Sequence, residues 1–245
     1  MSTGFLLLLV IIGVVAFLVI RGSQAGNQRE LDDAVADARQ AIDRLGGQVY
    51  NLTGSNDAAK QALSDASERF TAAGSQISQA KSAAQARLAK QTAIEGLYYI
   101  RAARTAMGMD PGPHIPELTG QRTAGAVSEN RSIAFEGRQI QASPGPSQTT
   151  PNYYPGGMVA GRPVPAGWYS EPWWKTALVA GAWGVGSMLL FDALFSGMHG
   201  VGYDQNAFAD GYQDGFQDAS GNGDVDPGDA GDGGGFFDGF DSFDF

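Results

Sequence analysis

The sequence predicts a mainly α chain: a membrane-anchored helical hairpin or coiled coil with a second transmembrane helix and a disordered linker and tail. Three observations carry this expectation. The run Gly4–Ile20 is apolar and free of charge, apolar residues between Leu31 and Leu88 recur at helical steps, and a second apolar stretch lies between Trp173 and Phe195. The segments are then an anchor over 1–22, Ala-rich heptad-patterned helices over 28–107, a Pro/Gly-rich loop and linker over 108–172, a second span over 173–196 and an acidic Gly/Asp/aromatic tail over 197–245.

A helix rises about 1.5 Å per residue, so the first run, with the three residues before it, reaches roughly the 30 Å of a hydrocarbon core ahead of Arg21. The rival reading is a cleaved signal peptide with Ser23 and Ala25 before the cut. Against it, no basic residue precedes the run. In the second stretch, Trp168, Tyr169, Trp173, Trp174 and Lys175 have the composition of an interfacial belt. Ala177, Gly181, Gly184 and Gly186 would let another helix approach closely. Asp192 is discordant, and is the one hint of an accessory subunit in a membrane transporter or enzyme complex. Arg21, Arg29, Arg162 and Lys175 flank the intervening region, whereas no basic residue follows the second stretch. That asymmetry puts the middle in the cytoplasm and the tail outside, with the lipid bilayer of a bacterial cell membrane as the first partner.

In the middle region Leu31, Val35, Ile42 and Leu45 fall on one helix face, and Leu63, Phe70, Ile77 and Leu88 continue the pattern on a second helix. Gly46 and Gly47 weaken the first helix by about 1 kcal/mol each relative to alanine. A turn at 51–57 ends in residues suited to cap the second, which is expected to run on to Met107 with a change of phase near Leu88. Two such stripes form a seam for self-association or a helical protein partner. Tyr98, Tyr99, Arg101, Arg104, Met107 and Met109 make an aromatic and basic patch before the loop 109–116, the nearest thing in this region to a ligand surface.

Composition excludes several chemistries. There is no cysteine, and the two histidines, His114 and His199, sit in proline- and glycine-rich surroundings. No nucleophile–base pair, phosphate loop or G-x-S-x-G elbow is present. A non-enzymatic protein without a small-molecule substrate is therefore expected. Between Arg21 and Lys175 the net charge is +2, whereas from Thr176 onward it is −12, with no lysine or arginine. Such a tail repels phosphate, which argues against a nucleic-acid partner.

Within the tail, Asp218, Ser220, Asn222, Asp224, Asp226 and Asp229 fall at alternating positions of an EF-hand loop, with Gly223 at its bend. Weak Ca2+ binding is the one cofactor this suggests, in a calcium-responsive envelope protein. Asp229 stands where a longer glutamate normally closes the site, and the glycine run behind it supplies no exiting helix.

The anchor, the helical stretch Glu95–Arg104, the segment Gly167–Thr176 and the Gly/Asp/Phe tail together resemble uncharacterised membrane proteins of actinobacteria. A looser similarity of layout links the chain to LemA-like proteins, from which the second stretch and the tail depart. Neither resemblance supplies functional residues.

Overall fold

The computed structural model describes the backbone of residues 3–202 and the side chains of residues 26–202. The chain divides into two units, Met1–Asp204 and Gln205–Phe245, and every described residue belongs to the first. Three long helices, α1 (Thr3–Asn51), α2 (Asp57–Gln79) and α3 (Ala83–Ala106), precede the single turn α4 (Gln121–Ala124), six short strands and two short helices.

The three long helices form a bundle whose core follows from the apolar spacing. Ile42 and Leu45 of α1, Ala66 and Ala73 of α2, and Ala93, Ile94 and Leu97 of α3 share one buried cluster, with Leu63, Phe70 and Ile77 packed against it. Helix α2 is antiparallel to α3, as Arg69 lies by Glu95 and Gln76 by Thr92. Helix α1 runs parallel to α3, with Glu30 beside Arg87 and Asp37 beside Lys90. Alanine lines much of this contact, so the helices bury area only by approaching closely. Gly96 permits the approach: a Cβ there would lie 2.4 Å from Leu45 Cδ2 and 3.1 Å from Arg69 Cβ. Gly46 does not interrupt α1, because the Phe70 ring fills the space where its side chain would stand.

Asn56 caps α2 by accepting from Ala59 N at 2.8 Å. The expected unbroken helix to Met107 is in fact two. Ser82 accepts from Gln85 N at 3.3 Å, and Gln85 Oε1 accepts from Lys81 N at 2.7 Å. This S-x-x-Q exchange closely follows the capping box that starts a helix.

Beyond α4 the apolar period changes from helical to alternating. Strands β1 (Arg131–Phe135) and β2 (Arg138–Ser143) pair Ile133 with Ile140. They are joined by Glu136 and Gly137, both at positive φ, the two-residue turn whose twist matches that of the strands. Strands β4 (Gly157–Val159) and β5 (Arg162–Val164) repeat the device through Ala160 and Gly161. Strand β6 (Gly167–Tyr169) lies between β2 and β3 (Asn152–Tyr154), antiparallel to both, so the larger sheet has the order β1-β2-β6-β3.

Successive strand side chains point to opposite faces, and β3 and β6 use this to join two cores. Tyr153 and Trp168 pack against Ala58, Ala62, Ala102 and Ala103 of the bundle. Tyr154 and Tyr169 face the other way, into a cluster with Trp173, Trp174, Phe191, Leu194 and Phe195. The last five belong to or border α5 (Trp174–Ala180) and α6 (Val185–Phe195).

These observations correct the membrane-anchored architecture. The second span is broken: α5 ends at Gly181 in a left-handed conformation, and α6 starts only after Gly184. The aromatic belt expected at a membrane interface is the interior of this second core, with Trp168, Tyr169, Trp173 and Trp174 all buried. Among the described residues no helix is long and apolar enough to cross a membrane. The expectation of an anchor over Gly4–Ile20 falls on the first turns of α1, whose side chains lie outside the described residues. The fold is mixed, three packed helices with two β-sheets, and not a helical hairpin or coiled coil. The supposed disordered linker carries all six strands.

The bilayer partner, the membrane localisation, the membrane-anchored display function with its envelope and accessory-subunit alternatives, and the resemblance to actinobacterial membrane proteins are corrected on the same finding. They presuppose a span, whereas the residues expected to form the second one cover a sheet in a packed domain, and no helix among the described residues is long and apolar enough to cross a membrane. Most of the heptad seam is turned inward, into the chain's own bundle. Ile42 and Leu45 are buried, Leu31, Val35, Leu63, Phe70 and Ile77 are partly buried, and only Leu88 stands exposed.

Gly96→Ala tests the close approach. Alanine is the better helix former by about 1 kcal/mol, so a propensity effect alone would stabilise the protein. Overpacking against Leu45 should instead destabilise it by about 1–3 kcal/mol, measured as a lower denaturation midpoint in urea. A raised midpoint would show that the helices yield without cost.

Candidate functional site

Of the places where charged groups converge in the described unit, two bear on a site. The first joins the bundle to the sheet. Lys175, at the start of α5, donates to the buried Asp65 carboxylate of α2 at 2.9 Å and lies 3.9 Å from Glu68. One turn along α2, Arg69 Nε sits 3.2 Å from Glu95 of α3, and both side chains are about three-quarters buried, at 23% exposure. Tyr99 lies alongside, fully buried and edge-on to Tyr153 at 6.0 Å.

Burial raises the pKa of the Glu95 carboxyl, against the pull of the Arg69 guanidinium, and Asp65 adds to the rise. Burial likewise pushes the phenols of Tyr99, Tyr153, Tyr154 and Tyr169 upward, so they stay protonated and offer no base. None of Asp65, Arg69 and Glu95 lines the clefts described below. The cluster is an ionic lock in which Lys175–Asp65 ties α5 to α2 and Arg69–Glu95 ties α2 to α3.

The second convergence is open to solvent. Helix α3 ends at Met107 with a left-handed Gly108 (φ 69), and the N–H of Met109 bonds to Arg104 O while that of Gly108 bonds to Thr105 O. This pair of bonds is the Schellman closure, and it reverses the chain so that residues 109–118 return along the bundle. Ile115 enters the bundle core. Tyr98 Oη donates to Pro116 O at 3.3 Å, and Arg104 Nε donates to Asp110 O at 2.6 Å. Between this returning loop and the helices lies a cleft of about 90 Å³.

Its walls hold Arg44 and Gln48 from α1, Arg101 and Arg104 from α3, and an apolar side made by Leu97, Ile100, Ile115, Pro111 and Pro113. Arg101 lies over the Tyr98 ring at 5.9 Å and makes one long bond to Pro113 O, at 3.4 Å. Its Nε is buried without a hydrogen-bond partner. Arg44 is exposed and has no ion-pair partner among the described residues. No acidic side chain lines the cleft; of the two carboxylates next to it in sequence, Asp43 and Asp110, the latter accepts from Gly112 N at 2.7 Å. Three arginines thus border one small concavity without an acidic residue in its walls.

Two larger clefts lack this character. One, about 330 Å³ beside Trp173, places Arg138 between Glu171 at 2.6 Å and Glu136 at 3.5 Å, so its charges are already matched. The other, about 660 Å³, runs between Asn56 and Ser147, where Asn56 is occupied as the α2 cap and bonds Ala106 O.

Of the patch singled out in the sequence, Arg101 and Arg104 line the cleft, while Tyr98 and Tyr99 belong to the bundle core. Arg44 and Gln48 were not foreseen, since nothing local marks two polar residues some fifty positions away as neighbours. Among the described residues no group of three or more histidine, aspartate or glutamate side chains is arranged to hold a metal. His114 and His199 are exposed. The residues Asp218, Ser220, Asn222, Asp224, Asp226 and Asp229, and with them the expected Ca2+ site, lie outside the described residues. Asp192 sits partly buried on α6.

Comparison with protein-family models, with curated proteins and with solved structures finds no match to this chain.

The ionic lock yields a pH dependence. Because Glu95 has a raised pKa in the folded state, the fold holds this proton more tightly than the unfolded chain does. Its contribution therefore favours folding below the ordinary carboxylate range and is lost as the pH rises through the folded value. In Glu95→Gln, melting temperatures between about pH 4 and 7 should fall less with rising pH than in the native protein. Equal slopes would mean that Glu95 titrates alike folded and unfolded.

Proposed function

We propose that the folded unit is a non-enzymatic recognition module that holds an anionic group in the Arg44–Arg101–Arg104 cleft. One observation carries the reading: three arginines from two helices border a small concavity that no acidic side chain lines, whereas the buried Asp65 and the largely buried Glu95 are each matched by a cation. Guanidinium forks recognise oxyanions through paired, charge-assisted N–H donors. The apolar wall lowers the local polarity beside the arginines, which strengthens such bonds. The helices that carry the arginines are fixed by the bundle core, so little ordering is lost on binding.

No nucleophile, base or metal cluster accompanies the arginines, so their chemistry is to hold and not to transform. The reading is consistent with the composition, which offers neither cysteine nor a placed histidine.

Sulfate, a compact dianion, provides the test on the full chain. Ligand that binds only the folded state raises stability by RT ln(1 + [L]/Kd), about 1.4 kcal/mol at tenfold excess over Kd. Sulfate also stabilises proteins in general by exclusion from their surface, so the informative quantity is a difference between proteins. Arg44→Ala, at an exposed position, should leave the melting temperature in chloride nearly unchanged and lose much of the gain produced by sulfate. Equal gains in native and variant protein would remove the cleft as an anion site.

A further inference from the structure

The same cleft carries information about which anion it takes. Resting on the reading above, we infer that its ligand is a tetrahedral phosphate dianion, either free orthophosphate or the phosphoryl group of a phosphomonoester, and not a carboxylate.

Donor number and direction come first. A carboxylate is planar, has two oxygens, and is satisfied by one guanidinium fork. Here Arg44 arrives from α1, while Arg101 and Arg104 project from successive turns of α3, so the donors reach the cleft from different elements. Arg104 keeps both terminal nitrogens after its Nε is taken by Asp110 O. Arg101 keeps most of its donor capacity, since its one bond to Pro113 O is long and its Nε has none. Arg44 keeps all of its own. A phosphate presents oxygens on three or four sides, and so suits arginines that stand on two different helices better than a planar group does.

Charge agrees with this. Three permanent cations with no acidic side chain in the lining leave a large positive excess. A single carboxylate would leave two of the three unmatched beside an apolar wall, whereas a phosphate carrying about −1.5 to −2 offsets most of the excess. Gln48 supplies a neutral amide that can donate to a further oxygen.

Size sets the outer limit. At about 90 Å³ the cleft admits a single compact group. A nucleobase or sugar attached to the phosphate would have to remain outside, on the side where Arg44 is exposed. Recognition is therefore of the phosphoryl group itself and indifferent to much of what bears it.

Calorimetric titration of the full chain in chloride buffer separates the possibilities. The probes are sodium orthophosphate, O-phosphoserine, sodium sulfate and sodium acetate. Orthophosphate, phosphoserine and sulfate should saturate one site, and acetate should bind at least tenfold more weakly. Phosphoserine binding more tightly than orthophosphate identifies a phosphoryl group on a larger molecule as the ligand, and the reverse order identifies the free ion. Arg44→Gln and Arg104→Gln should each weaken phosphate roughly ten- to a hundredfold, the scale of one charge-assisted bond. Arg44→Lys, which keeps the charge without the fork, should recover only part of the loss. Acetate binding as tightly as phosphate would overturn this inference while leaving an anion-binding module. Absence of saturable binding by any of the four would overturn the module itself.

Discussion

The ammonium of Lys175 meeting the buried carboxylate of Asp65 is the contact on which the two layers depend. Residues 110 positions apart are brought together by it, and it lies where the bundle, the sheet and α5 all converge. An uncompensated carboxylate in that place would be strongly unfavourable. The bundle and the sheet therefore have to dock in one register, which also seats Tyr153 and Trp168 among the small side chains of Ala58, Ala62, Ala102 and Ala103. One turn further along α2, Arg69 and Glu95 pair α2 with α3 within the bundle itself. Within this frame the residues lining the arginine cleft are held by a bundle whose helices have little freedom to shift.

The helical part of this design was legible in the residue spacing, because period and burial coincide. Ile42, Leu45, Leu63, Phe70 and Ile77 mark the inward faces of α1 and α2. What spacing could not tell was whether those faces meet each other or another molecule. The division at Ala80–Ser82 was legible in principle, since Ser82 and Gln85 form an S-x-x-Q signal. Alanines on either side continue the small-residue stripe across the break, and the stripe concealed it.

The sheets were hidden for a different reason. Strands of three to six residues offer too few alternations to stand out, and their turns use Glu136-Gly137 and Ala160-Gly161 in place of Asn-Gly or Asp-Gly. Prolines in the same region suggested extended mobile chain, whereas Pro155 and Pro165 are fully buried. The stretch from Trp173 to Phe195 exposed an ambiguity inherent in hydropathy: a continuous apolar run needs cover, but the run alone does not say whether lipid or protein supplies it. Gly181 and Gly184 were readable as a helix-packing motif and serve instead as the break between α5 and α6. For the cleft, Arg101 and Arg104 stood out as a local cluster, while Arg44 joins them only through tertiary packing that no linear pattern encodes.

One feature of the aromatic layer bears on how the protein can be watched. All four tryptophans lie between positions 168 and 183, and the three long helices contain none. Indole emission therefore reports on the sheet with α5 and α6, while far-ultraviolet dichroism is dominated by the bundle. Trp168 alone looks across the junction, wedged among bundle alanines, so its fluorescence is a built-in gauge of whether the two layers separate together or in turn.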